Sequence, residues 1–237
     1  VAQQAVSQQT VAELQNAIRQ WERKSAQGAE RSVSTGCPSL DELFPAQGIR
    51  QGSLIEWVGT DEAKGAVALS LIVGKVVVPP ERPMILIDRQ RELFPAALQA
   101  MGIDLTRLVL IHPKTERDAL WACEESLRCP GVGLVWMDIG RLSGTIFRRL
   151  QLAAEEGQTI GFFVRPEAAV QQASWADARL TVRPVASGGA SWQLQVEVAS
   201  GQGWPKRSGC EVQIDNEQGT IHDVPPVDPA NPLPVVP

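Results

Sequence analysis

The residues with the clearest potential for chemistry lie in the turn Gly59-Thr-Asp-Glu-Ala-Lys-Gly-Ala66. A phosphate-binding loop reads G-x-x-x-x-G-K-[ST]. Its last glycine lets the backbone approach phosphate, its lysine reaches the β and γ phosphates, and its hydroxyl holds Mg²⁺. Gly59 fills the first position. Lys64 then stands where the second glycine belongs, Gly65 where the lysine belongs, and Ala66 where the hydroxyl belongs. Asp61 and Glu62 add negative charge to a loop that would have to receive an anion. The turn reads as a collapsed phosphate loop, with Gly59, Lys64 and Gly65 as vestiges of a nucleotide site.

Other chemistry is sparse. The four cysteines, Cys37, Cys123, Cys129 and Cys210, form no CxxC pair, and His112 and His222 are the only histidines. A zinc site needs about four clustered nitrogen or sulfur ligands, so no metal is expected. The thiols read as buried small hydrophobes of a reducing compartment. His112 precedes Pro113 and reads as a strand-end turn residue. The candidates for partner or DNA contact are the Arg89-Gln-Arg91 and Arg148-Arg149 clusters and Trp204 beside Pro205-Lys206-Arg207. As isolated pairs, the arginines also fit a plain solvated surface.

Those residues need a scaffold, and the alternation of patterns predicts one. Strands are expected at 52–59, 83–88, 108–111, 133–138 and 159–164, of which 83–88 is a continuous apolar run typical of a strand covered on both faces. Helices are expected between them, at 64–76, 91–101, 116–128 and 143–156. This β-α alternation implies a mostly parallel sheet sandwiched by helices. Past Ala176, the stretches 178–183 and 192–198 alternate with period two, and 211–214 forms a third short strand. They predict an antiparallel extension of the sheet. In such a sheet, ligands sit at the C-terminal strand ends, where Gly59, Asp88, Asp138 and Arg165 fall. Trp57 and Trp136 lie inside strands and are expected in the core. Trp121 and Leu127 fit a packed helix face.

The organisation expected is an N-terminal helix and linker at 1–31, a core at 32–215 and a Pro-rich disordered tail at 216–237. The helix at 10–23 rests on Val11, Leu14, Ile18 and Trp21 at helical spacing, with Thr10 and Glu13 as a capping box. The tail rests on six prolines in the last 14 residues. Prolines deny ladder and helix hydrogen bonds. The chain has 237 residues with a formal net charge of −5, so as a whole it repels a phosphate backbone. Its basic residues are 17 arginines against five lysines, it has seven tryptophans, and it has no tyrosine. Arginine suits protein interfaces, where its planar fork pairs with carboxylates and stacks on aromatics. With no apolar run near ~20 residues and no leader pattern at the start, a cytoplasmic protein is expected.

The ordered motifs carry a resemblance. Ser34-Thr-Gly-Cys-Pro-Ser-Leu-Asp41 and Gly52-Ser-Leu-Ile-Glu-Trp-Val-Gly59 resemble the opening of a RecA-type recombinase core. Ile87-Asp-Arg-Gln-Arg-Glu-Leu-Phe-Pro95 and Leu98-Gln-Ala-Met-Gly-Ile-Asp104 resemble its next strand and helix, Gly133–Asp138 its Walker B strand, and Gly161–Arg165 its nucleotide-sensing strand. The resemblance covers about residues 10–215 and implies a RecA-like P-loop NTPase core, with Asp138 as a further vestige of the nucleotide site. It also implies departures. Gln90 stands at the catalytic glutamate position and Arg165 at the sensor glutamine. The first DNA-binding loop, after Asp138, has no room, and the second, 166–175, carries no Lys or Arg.

Within the superfamily, Ala119–Leu127, Phe147–Ala154, Phe162–Pro166 and Ala178–Leu180 resemble the ImuA and SulA-like branch. That resemblance implies a non-catalytic accessory protein in the DNA-damage (SOS) response and translesion synthesis, acting through protein contacts. The partners implied are a Y-family polymerase-like protein and a recombinase or replicative-type polymerase, with weak or indirect DNA contact, no membrane and no cofactor. Two alternatives stay open. One is a RecA-like ATPase that uses Lys64 in an unorthodox loop and binds ATP. The other is a cell-division or SOS regulator on the same fold.

Overall fold

The computed structural model describes residues 32–59, 65–185, 192–201, 209–215 and 218–224. The expected N-terminal helix, Lys64, Trp204, Lys206, Arg207 and the chain from Pro225 onward lie outside the described residues.

Continuous apolar runs form the centre of the fold. Leu54–Gly59 (β3), Met84–Ile87 (β4) and Leu134–Asp138 (β6) are almost wholly buried, as strands covered on both faces must be. With Leu108–Ile111 (β5), Ile160–Pro166 (β7) and Ala178–Val185 (β8) they make the parallel part of a nine-stranded sheet. Its order is β11-β10-β9-β8-β3-β7-β6-β4-β5. Trp192–Gly201 (β9), Gly209–Asp215 (β10) and Thr220–Asp223 (β11) continue it antiparallel. Ser32–Val33 (β1) and Ile49–Arg50 (β2) pair as a separate small ribbon. This is the expected α/β architecture, a RecA-like mostly parallel sheet flanked by helices, with an antiparallel C-terminal part.

Two cores result, one on each face. On the first, Pro38–Asp41 (α1), Gly65–Val77 (α2) and Pro95–Ala100 (α3) pack with Ile55, Trp57, Phe162, Leu180, Leu194 and Ile214. α2 buries all but three of its residues, so it has no polar face to give to water. Trp57 meets Phe162 edge-on at 5.3 Å, and the Trp136 indole N–H donates to Ser70 Oγ at 2.9 Å. Both tryptophans are core residues, as their strand positions imply. On the second face, Glu116–Arg128 (α4) and Gly144–Gly157 (α5) cover Leu54, Ile87, Val135, Met137 and Phe163. Thr115 caps α4 by accepting from Asp118 N, and Ser143 caps α5 by accepting from Ile146 N. The two helices meet tightly at their C-terminal ends. A Cβ on Gly157 would lie 2.1 Å from the Leu127 carbonyl oxygen, so only glycine fits there.

Four expectations are corrected. The helix anticipated at 91–101 begins only at Pro95. The Asp88 carboxylate accepts from the Glu92 and Leu93 amides, which holds 89–93 as a loop, and Pro95 then sets the first helical turn. The core does not stop at 215, because β11 at 220–223 pairs with β10 inside the stretch read as tail. Lys75 fastens the turn before it by donating to the Gly219 and Met101 carbonyls. Not all thiols are buried: Cys37 and Cys123 are, Cys210 is half-buried, and Cys129 is exposed. Of the pair expected to pack on α4, Leu127 is buried, whereas Trp121 is 66% exposed.

Candidate functional site

Parallel pairing brings the expected strand ends to one edge of the sheet. Gly59 of β3 lies opposite Pro166 of β7 and Val182 of β8, and Asp138 of β6 lies opposite Val164. Ile87, next to Asp88, lies opposite Met137. Gly59, Asp88, Asp138 and Arg165 therefore sit side by side.

The positions that would handle phosphate are turned inward. Gly65 is buried at the start of α2, and a Cβ there would come within 2.8 Å of Leu194 Cδ2. Ala66 is 2% exposed and belongs to the first core. The place of the lysine is thus taken by a residue whose lack of a side chain admits β9. The place of the Mg²⁺ hydroxyl is taken by a methyl packed among apolar groups. Both assignments follow from the sequence order Lys64-Gly65-Ala66, and the tertiary packing gives each residue a structural role.

Asp88 is also committed. It is 5% exposed and caps the 89–93 loop, while its carbonyl accepts from His112 Nδ1 at 3.0 Å. His112 is the strand-end residue expected. The loop lifts Arg89, Gln90 and Arg91 into solvent. Arg91 adopts φ 58°, a left-handed conformation costing on the order of 1 kcal/mol for a residue with a Cβ. Together with Asp138, Glu116 and Arg141, Arg89 and Gln90 line a shallow cleft of about 100 Å³. A small-molecule site commonly has ~300–1,000 Å³, so the described walls form a contact surface more than a pocket. Among the described residues, neither Arg89, Arg91 nor Arg141 has an ion-pair or hydrogen-bond partner.

The other candidate cations among the described residues are engaged. Arg149 pairs with Glu124 across the α4–α5 seam. Arg148 donates to Gln151 Oε1 at 2.6 Å, and its guanidinium lies 5.4 Å from the Trp175 ring centroid. Trp175 remains about half exposed. Arg165, the expected sensor substitute, is 2% exposed and donates to Glu56 Oε1 at 2.5 Å. Arg179 Nε donates to Glu56 Oε2 at 2.6 Å. Burial holds the Arg165 guanidinium below its ordinary pKa, Glu56 opposing and Arg179 adding to that push. Sequence reasoning missed this cluster, although a signal existed. Glu56 interrupts the apolar run Leu54–Val58, and a carboxylate in a doubly covered strand demands a buried cation.

The comparisons bear on this arrangement. No protein-family model matches the chain. It is similar to Protein RecA of Clostridium novyi, 28% identical over 136 residues, covering 53% of this chain and 39% of that protein. It is also similar to Protein RecA of Clostridium acetobutylicum (28% over 107 residues, 45% and 30%) and of Mycoplasma genitalium (26% over 134 residues, 56% and 38%). The chain is RecA-like. The matches span less than two fifths of these relatives' length. Within that RecA-like core, no described helix is long and apolar enough to cross a membrane, and no three described His, Cys, Asp or Glu residues are placed to hold a metal ion.

Proposed function

We propose that this RecA-like chain is an accessory protein of the DNA-damage response and translesion synthesis, working through protein contacts without hydrolysing ATP. The observation that carries the non-catalytic reading is the inward packing of Gly65 and Ala66. Phosphate binding at this turn would need a cation and a hydroxyl at two positions that here complete the core. Gln90 adds to the argument, since an amide cannot take a proton from an attacking water. Each lost role commonly costs ~10²-fold or more in rate. The translesion role and its partners, a Y-family polymerase-like protein with a recombinase or replicative-type polymerase, rest on the resemblance of the α4, α5 and β7 sequences. The free cations Arg89, Arg91 and Arg141 supply a contact surface for such partners or a weak, salt-sensitive one for DNA. The test is ATP turnover with Mg²⁺, with and without single-stranded DNA, beside binding to the purified polymerase-like protein. Background turnover with measurable association is expected. DNA-stimulated hydrolysis abolished by Lys64→Ala overturns the reading.

A further inference from the structure

The segment between β7 and β8 is short and carries no Lys or Arg, yet it is fastened along its length. A single 3₁₀ turn, Glu167–Gln171, buries Ala169 completely. Beneath it lie three charged side chains withdrawn from water: Glu56 at 0%, Arg165 at 2% and Arg179 at 3% exposure. Two guanidiniums face one carboxylate, so the cluster holds one positive charge more than its own members neutralise. Segment oxygens answer part of that excess, while Arg165 Nε and Arg179 Nη2 stay buried without a hydrogen-bond partner among the described residues. Gln172 Oε1 accepts from Arg165 Nη2 at 2.7 Å, and the Val170 and Gln172 carbonyls accept from Arg179 Nη1 at 3.0 and 2.9 Å. Ser174 closes the set by donating to Glu56 Oε2 at 2.7 Å while accepting from the Ala176 amide. At the far end, Asp177 accepts from Arg50 and from the Leu54 amide.

We infer that residues 167–176 form a strap held in one conformation by the Glu56–Arg165–Arg179 cluster, which presents Trp175 at a constant position over the start of α5. The physical reason is the charge excess. A buried guanidinium without its own carboxylate needs oxygen dipoles around it, and in this pose the strap supplies three of them. Trp175 follows from the strap, its ring resting beside Arg148 and its indole nitrogen 3.6 Å from where a Cβ on Gly144 would stand. The inference stands apart from the accessory reading, because a chain that hydrolysed ATP could carry the same strap.

Amide hydrogen exchange on the full chain tests it. The Gln172 amide, which donates to Ala169 O, and the Ala176 amide report on the strap. Strong protection is expected in the unmodified protein. Arg165→Gln removes the excess charge and leaves the Glu56–Arg179 pair, so exchange at both amides should rise on the order of tenfold or more, with β9 and α2 amides unchanged. Gln172→Ala leaves the buried ion pairs intact and keeps the test alive if the first variant folds poorly. It should raise exchange several-fold. Near-intrinsic exchange in the unmodified protein, or strap protection unchanged in the folded variants, overturns the inference.

Discussion

Two regions on the same sheet edge treat their arginines in opposite ways. Over β3, β7 and β8, Arg165 and Arg179 are sunk beneath the 167–176 segment and matched to Glu56, Gln172 and Val170. Over β4 and β6, Arg89 and Arg141 line an open cleft and Arg91 stands exposed in the same loop as Arg89, all three without described partners. Burying a charge costs several kcal/mol unless it is paired and hydrogen-bonded, so the first group is committed to holding the fold. An exposed arginine costs almost nothing in stability and keeps its fork free, so the second group is available for contact. Arginine content by itself therefore says little about an interface. What separates a structural arginine from an available one here is whether a carboxylate shares its buried face.

The largest expected effect breaks the buried side. Glu56→Ala leaves two guanidiniums without their anion, and by analogy with broken buried pairs it should cost about 3–5 kcal/mol. Urea unfolding measures it. A loss below about 1 kcal/mol would mean that the cluster is as dispensable as a surface pair.

A smaller effect is expected at the start of α2, where Gly65 and Ala66 are packed inward. Gly65→Lys with Ala66→Thr rewrites the turn toward a phosphate loop, but it forces a side chain onto Leu194 and a hydroxyl into an apolar site. The double variant should lose about 2 kcal/mol, read as a lower midpoint in the same unfolding assay, and should gain no ATP turnover. Gain of hydrolysis without loss of stability would show that this part of the edge is still a working site.

The smallest effect on stability sharpens the exposed side. Arg89→Glu with Arg141→Glu should stay within about 0.5 kcal/mol of the parent. Association with a polymerase-like partner, followed by titration calorimetry, should weaken and lose part of its salt dependence. Unchanged association would move the contact surface away from the cleft.

Much of this was legible in one dimension. The parallel strands announced themselves as short apolar runs, and the antiparallel part by its period of two. The misreadings are local and have local causes. The apolar spacing of 91–101 looked helical, but the Asp88 side chain competes for the Glu92 and Leu93 amides. β11 has a single buried apolar residue, Ile221, and pairs with one neighbour, so its pattern is too weak to read, and the prolines beyond it coloured the whole stretch. Trp121 points to water because it lies two residues from both Ala119 and Cys123, about 200° around the helix from the buried Ala119, Cys123 and Leu127 face.

The sequence by itself determined the α/β alternation, the sheet edge on which the site residues gather, and the reversed Gly-Lys order after Gly59. These are properties of neighbours along the chain: periodicity, motif spacing and residue type. Only the tertiary structure decided which charges are spent and which are free. Glu56 meets Arg165 at a separation of 109 residues and Arg179 at 123, through the parallel registers of β3 with β7 and with β8. No local pattern encodes a pairing at that distance. It arises because a doubly covered strand excludes water, and a carboxylate there is tolerable only where the register of its neighbours delivers a cation.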